Sequence, residues 1–181
     1  PNLGIHLGIP LYPKSLQDVM SGRASVREVL YQHSDGFQVI PADLSADKAI
    51  TPQSHKMVAS LFRLLGESEY VLVDTAAGLG NEAMASVRAA DELLVVTNPD
   101  LSSITDALKL VKAAGDHRTE VIGAVINRVK GEDSELTRDV IEGFLGVPVL
   151  GVVSEDPNVR KATAEKSPVV SRYPRSLASQ Q

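Results

Sequence analysis

The sequence predicts a single α/β domain, residues 1–181, built on a parallel sheet. Three observations lead there. Short apolar runs of strand length alternate with stretches of helical spacing, and they recur at intervals of roughly 25 to 30 residues, enough for a strand, a return helix and two turns. Each run ends in polar residues: Asp74, then Asn98-Pro99-Asp100, then Asn127-Arg128, then Ser154-Glu155-Asp156. Right-handed βαβ crossovers satisfy this order and gather those ends at one edge of the sheet.

The first residues, PNLGIHLG, read as a turn passing into an apolar segment. Ser15 caps a short helix over 16–20 that stops at Gly22. Ser25 opens another, with Val26, Val29 and Leu30 on one face. Residues 37–40 are a candidate strand closed by Pro41, and 42–51 a loop. From Pro52 the spacing turns helical, with Met57, Val58, Leu61, Leu64 and Leu65 in a stripe ended by Gly66.

YVLVDTAAGLG, residues 70–80, predicts a strand over 70–73 buried on both faces, ending in Asp74 and a tight turn at Gly78 and Gly80. A helix over 81–90 follows, then a second buried strand over 93–96. Ile104, Ala107, Leu108 and Val111 mark a helix that Gly115 ends. A strand over 121–126 leads to Asn127-Arg128. Asp133 or Ser134 caps a helix carrying Leu136, Val140, Ile141, Phe144 and Leu145. The last strand covers 148–153, and Asp156-Pro157 starts a helix as N-cap and first residue. The tail after Val170 is polar, without periodicity.

Composition narrows the function classes. Lys and Arg total 18 against 23 Asp and Glu, a net charge of −5, which argues against a chain that mainly wraps nucleic acid. There is no cysteine, so disulfides and thiolate metal sites are excluded, and a reducing compartment is expected. No apolar run approaches the ~20 residues that span a bilayer. His6, His33, His55 and His117 are scattered without metal-ligand spacing and read as surface or packing residues. No Gly-x-Ser-x-Gly elbow follows a strand.

A carboxylate at the carboxyl edge of a sheet, followed by a glycine turn, suits a hydrated Mg²⁺ and a phosphate approached by backbone amides. Asp74 could instead cap the helix at Asn81 or Glu82. Asn127 can present a donor and an acceptor to a base edge, and the Arg128 guanidinium can stack on it. Equally, Asn127 could bond its own backbone and Arg128 could be a solvated charge.

Taken together, VLVDTAAGLG, VVTNPDLSSITDALK, GAVINRV, GVVSEDPNVRKA and PVV, in that order, resemble the MinD branch of the MinD/ParA P-loop ATPases, the archaeal type most of all. The resemblance covers nearly the whole chain. It implies a MinD/ParA-type P-loop NTPase fold that binds ATP or ADP with Mg²⁺. Asp74 then matches the aspartate that reaches Mg²⁺ through water, and Ala77 and Gly78 the switch turn that senses the γ-phosphate. Asn127 matches the residue that reads adenine, with Arg128 beside the base. Pro99 lies in the preceding strand-end turn of the nucleotide site. Ser154, Glu155 and Asp156 occupy the family's Pro-Glu-Asp turn next to the base, with Ser154 in place of proline. Asp100 stands where the family has a glutamate that reaches the partner subunit's nucleotide; its side chain is shorter. Asp106 falls where MinD proteins engage regulatory partners, or is a solvent-facing aspartate.

The resemblance also implies what this stretch leaves out. The phosphate loop Lys-Gly-Gly-x-Gly-Lys-Thr-Thr is not found in the 181 residues, and Asn2-Leu3-Gly4 matches residues directly after the family's first switch. The sequence is therefore expected to begin after the first βαβ unit, as part of a longer ATPase and inactive alone. The expected function is an ATP-hydrolysing, homodimerising switch that positions cell-division or other polar machinery, cytoplasmic or peripheral to the inner face of the membrane. Membrane association would need a longer form, since SRYPRSLASQQ has only Arg172 and Arg175 and no apolar face. Two alternatives stand: a loop-less scaffold without turnover, and a ParA-type partitioning ATPase, which the net charge disfavours.

Overall fold

The computed structural model describes residues 3–9, 12–42, 68–75 and 78–181. The helix expected over 52–66 and Ala77 of the expected switch turn lie outside them. Among the described residues no helix is long and apolar enough to cross a membrane.

The first residues make one helical turn, α1 (Leu3–His6). Ser15 caps α2 (Leu16–Met20) as its sequence suggests, with the Asp18 carboxylate accepting the Ser15 N–H at 2.9 Å. The segment opened by Ser25 is tighter than an α-helix, a 3₁₀ turn at Val26–Val29, but its valines still pack inward on Val19 and Ala24. The candidate strand near Phe37 becomes β2 (Gln38–Val39), antiparallel to β1 (Tyr31–Gln32). Gly36 closes that hairpin at φ +92°, a conformation costly for any residue with a Cβ. His33 is a packing residue: its ring stacks on Phe37, Nε2 donates to the Leu7 carbonyl at 3.2 Å, and Nδ1 accepts the Asp35 N–H at 3.1 Å.

The main sheet is parallel, in the order β3 (Glu92–Thr97), β4 (Glu120–Val129), β5 (Val149–Ser154). One face carries Val95, Ala124, Ile126 and Val149. It packs under Ile104 and Ala107 of α4 (Leu101–Asp116) and Ile141 and Leu145 of α5 (Arg138–Leu145). Burying each of the isoleucines contributes about 1.5–3 kcal/mol. Gly123 is required where β4 approaches β5, since a Cβ there would lie 2.6 Å from the Pro148 carbonyl oxygen. Before the sheet, α3 (Asn81–Ala89) turns Ala83, Ala85 and Val87 inward, and Thr119 Oγ1 donates to the Val87 carbonyl at 2.9 Å.

Several sequence expectations need correcting; α4, for one, continues through Gly115 to Asp116 and ends at His117. Residues 70–75 form no strand: Tyr70 is 79% and Leu72 95% exposed. An apolar run becomes a strand only when another strand takes its N–H and C=O groups, and among the described residues the parallel sheet ends at β3. Nor is β3 buried on both faces, because Leu94 and Val96 are exposed opposite α4 and α5. Finally, Thr137, not Asp133 or Ser134, holds the N-cap position of α5, without a side-chain hydrogen bond to the helix. Glu135 folds back to accept the N–H groups of Lys130 and Gly131 at 2.9 and 2.8 Å, which keeps residues 130–136 out of the helix.

After β5 comes α6 (Pro157–Ala164), capped by Asp156 with Pro157 at its start. The tail is more ordered than its composition suggests, with α7 (Val169–Arg172) and a 3₁₀ turn at Leu177–Ser179.

Candidate functional site

Parallel register decides which polar residues meet. Thr97 pairs with Ile126, and Val129 with Ser154, so the carboxyl ends of β3, β4 and β5 lie along one rim. Three of the four polar clusters anticipated from sequence are therefore neighbours.

At the end of β4 the ladder shifts register between Ile126 and Val129. Arg128 sits there at φ +60°, a left-handed conformation that residues with a Cβ adopt only where the surroundings hold them. Its own N–H donates to Asn127 Oδ1 at 3.0 Å. Asn127 thus does bond the local backbone, which uses one acceptor position and leaves its amide NH₂ to other partners. The Arg128 guanidinium lies 3.5 Å from Glu155 Oε1, with Arg128 62% exposed on the solvent side. Lys130 Nζ stands 3.9 Å from Glu155 Oε2, an oxygen that is shielded from solvent yet accepts no hydrogen bond among the described residues. Arg128 and Lys130 thus flank the Glu155 carboxylate with positive charge, one at each oxygen.

The turn after β5 is tied to the same spot. The Glu155 N–H donates to the Val129 carbonyl at 2.8 Å, placing the Glu155 side chain beside Arg128. Asp156, 7% exposed, caps α6 by accepting the Asn158 N–H at 2.8 Å and also accepts the Ala178 N–H at 3.1 Å. Those two N–H groups, Asn158 first, hold its carboxyl below the ordinary range. At the β3 end, Pro99 is buried and its carbonyl accepts the Leu136 N–H at 2.9 Å, joining this turn to the loop before α5. Asp100 caps α4 by accepting the Ser103 N–H and hydroxyl at 2.9 and 2.7 Å, which lowers its pKa.

No hydrogen bond or ion pair among the described residues joins Asp74 to that cluster; it lies exposed on the segment 70–75. It is not a helix cap either, because Gly80 occupies the N-cap of α3. Gly78 turns at φ +86° with open space where a Cβ would be, as a backbone that approaches a ligand requires. No group of three His, Asp or Glu side chains converges on a cation position among the described residues. One exposed carboxylate nonetheless fits Mg²⁺ held through water, since that ion keeps most of its water and takes phosphate oxygens. Asp106 is a surface residue on α4, paired with Lys109 at 2.8 Å and 60% exposed.

Three contributors to this rim, Glu135, Gln181 and Ala178, are not evident from the sequence. The bond from Lys130 to Glu135 has a faint local signal, a Lys-Gly-Glu-Asp turn. Gln181 and Ala178, which bond Ser154 and Asp156, have none, because those contacts join residues far apart in the chain.

Comparison with known proteins agrees with this architecture. The CobQ/CobB/MinD/ParA nucleotide binding domain matches residues 28–169, and the chain belongs to that family. Among relatives, an uncharacterized ATP-binding protein of Methanocaldococcus jannaschii is 41% identical over 99% of this chain and 68% of its own length. The cell division ATPase MinD of Pyrococcus furiosus superposes with a TM-score of 0.92 at 29% identity, covering 99% of this chain and 76% of that one. The septum site-determining protein MinD of Pyrococcus horikoshii, solved with Mg-ADP, gives 0.91 at 27% identity over 99% and 74%.

Proposed function

We propose that this chain carries the base side and the switch aspartate of a MinD-like ATPase, one that binds and hydrolyses ATP to control its own association. The observation that carries the reading is the strained Asn127-Arg128 bulge, held against Glu155 on the same rim as Pro99 and Asp100. In this reading Asn127 turns its free amide to the adenine edge. Arg128 lays its guanidinium near the base, and the Ser154–Asp156 turn closes the other side. Asp74 orients Mg²⁺ through water, and the turn at Gly78 lets the backbone near the terminal phosphate. Mg²⁺, when bound, neutralises charge developing on the β- and γ-phosphates. The 181 residues contain no lysine-bearing phosphate loop, so turnover by this chain alone is not expected.

Two subunits would meet with the nucleotide between them, Asp100 facing the partner. The exposed face of α4 around Asp106 would dock a regulatory protein. A role in cell division or polar positioning, in the cytoplasm or on the inner face of the membrane, belongs to this same proposal. Nucleic acid is not an expected partner at a net charge of −5.

Isothermal titration of a form of the protein that carries the phosphate loop, with Mg·ATP and Mg·ADP, tests the reading. Binding that Asn127→Ala weakens roughly tenfold supports it, at about 1–2 kcal/mol for a lost base-edge contact. The exposed, unladdered segment that carries Asp74 favours a second reading, a scaffold that uses α4 for docking and turns over nothing. Absence of heat at millimolar nucleotide would support that one instead.

A further inference from the structure

The turn after β5 is gripped from two sides, and only one grip belongs to the rim of Asn127 and Arg128. Glu155 faces Arg128, while Ser154 and Asp156 face the tail. Gln181 Oε1 accepts the Ser154 N–H at 2.7 Å, and Gln181 Nε2 donates to Ser154 Oγ at 3.1 Å. One amide side chain therefore satisfies both the backbone and the hydroxyl of one serine. Three residues earlier, the Ala178 N–H donates to Asp156 Oδ2 at 3.1 Å, while Asp156 Oδ1 caps α6. The buried Asp156 carboxylate needs both donors, since a shielded charge is stable only when hydrogen-bonded. Ser176 and Ser179 hydroxyls, 2.9 Å apart, brace the 3₁₀ turn that presents these groups.

We propose that residues 176–181 form a latch on the base side of the nucleotide site, with Gln181 as a positioning residue that sets the Ser154–Asp156 turn. The proposal rests on reading the Asn127-Arg128 rim as that site. The path is short. Ser154 is the ladder partner of Val129, and Glu155, the next residue, reaches Arg128. Where the turn sits thus decides whether Glu155 restrains the guanidinium. A nucleotide that favours the seated turn must tighten the tail, and by linkage a docked tail must favour the nucleotide by the same factor.

The test combines titration of Mg·ADP with amide hydrogen exchange, in a form of the protein that carries the phosphate loop, as wild type, Gln181→Ala and Ser154→Ala. Ser154→Ala removes the hydroxyl to which Gln181 Nε2 donates. The variants are expected to bind Mg·ADP about threefold to tenfold more weakly, as loss of one or two hydrogen bonds implies. Exchange at Ala178 should quicken while exchange at Ala124 in the core of β4 is unchanged. In the wild type, saturating Mg·ADP should slow exchange at Ala178, and in Gln181→Ala it should not. If the wild type binds Mg·ADP but its tail amides and the variants' affinities are unaltered, the latch is wrong and the nucleotide reading survives. If exchange at Ala124 quickens along with Ala178, Gln181 only stabilises the fold and the latch is overturned. If the wild type binds no Mg·ADP, the nucleotide reading fails and the latch falls with it.

Discussion

Leu72 and Val95 sit in apolar runs of similar length, each leading to a polar residue, yet Leu72 is 95% exposed and Val95 2%. What separates them is company. Along β3 every step from Glu92 to Thr97 has a partner on β4, and α4 covers the inward side chains. Residues 70–75 have no ladder among the described residues, so no described strand takes their main-chain groups or sets the direction of their side chains. β-propensity describes fitness for a pleated, partly buried surface, and it produces a strand only where that surface exists. The contrast matters for function, because Asp74 hangs from the unladdered run and Asn127 from the best-supported strand.

The comparison breaks most readily in the core. Ile141→Ala, at a site of 0% exposure, is expected to cost about 2–5 kcal/mol in urea unfolding. Leu72→Ala should change stability by no more than about 0.5 kcal/mol, as an exposed position does. Comparable losses from both would mean that residues 70–75 are packed in solution. A smaller effect is expected from Gly123→Ala, about 1–3 kcal/mol, because the new methyl would meet the Pro148 carbonyl and Leu150. Gly143→Ala, in open space within α5, should stabilise by up to about 1 kcal/mol.

Two aspartates sharpen the contrast between fold and site. Asp156→Ala removes the α6 cap and should cost about 0.5–2 kcal/mol by thermal unfolding. Asp74→Ala should leave the melting temperature unchanged and abolish the Mg²⁺ dependence of nucleotide binding, measured by titration with and without the ion. An unaltered Mg²⁺ dependence would remove Asp74 from the site.

The smallest effect is expected in acid. Asp156, Asp100 and Glu135 are held below their usual range chiefly by backbone N–H donors, and Glu28 is lowered to about 2, first by the Lys14 ammonium and then by Ser25. Each folded pKa lies below the unfolded one, so the unfolded chain binds protons more readily as pH falls. Their stabilisation is complete above the unfolded pKa, 4.5 for Glu28, and drains away as pH drops towards 2. Glu28→Gln should flatten that decline slightly, since the Lys14 pair is exposed and screened. A decline that begins above pH 6 would point to groups other than these carboxylates.

Much of this was legible residue by residue, and the legible parts are local. Ser15 ahead of Asp18, and Asp156 ahead of Pro157, announce their helices because a cap acts on amides two or three residues away. The stripe through Ile104, Ala107 and Val111 finds its core for the same reason, since one helix face is written in consecutive turns. The rim residues Asn127, Arg128 and Glu155 could be named because parallel crossovers bring strand ends together. Their geometry could not: the left-handed backbone at Arg128 comes from a shift in ladder register, and its ion pair needs the turn after a different strand. Thr137 displaced the expected cap of α5 because Glu135 found closer donors in its own loop. The grip of Gln181 on Ser154 had no trace at all in the chain order. Periodicity and capping are short-range and so can be read from residue identity, whereas pairing depends on which distant main-chain groups are within reach. That is why residues 93–96 became a strand and residues 70–73 did not.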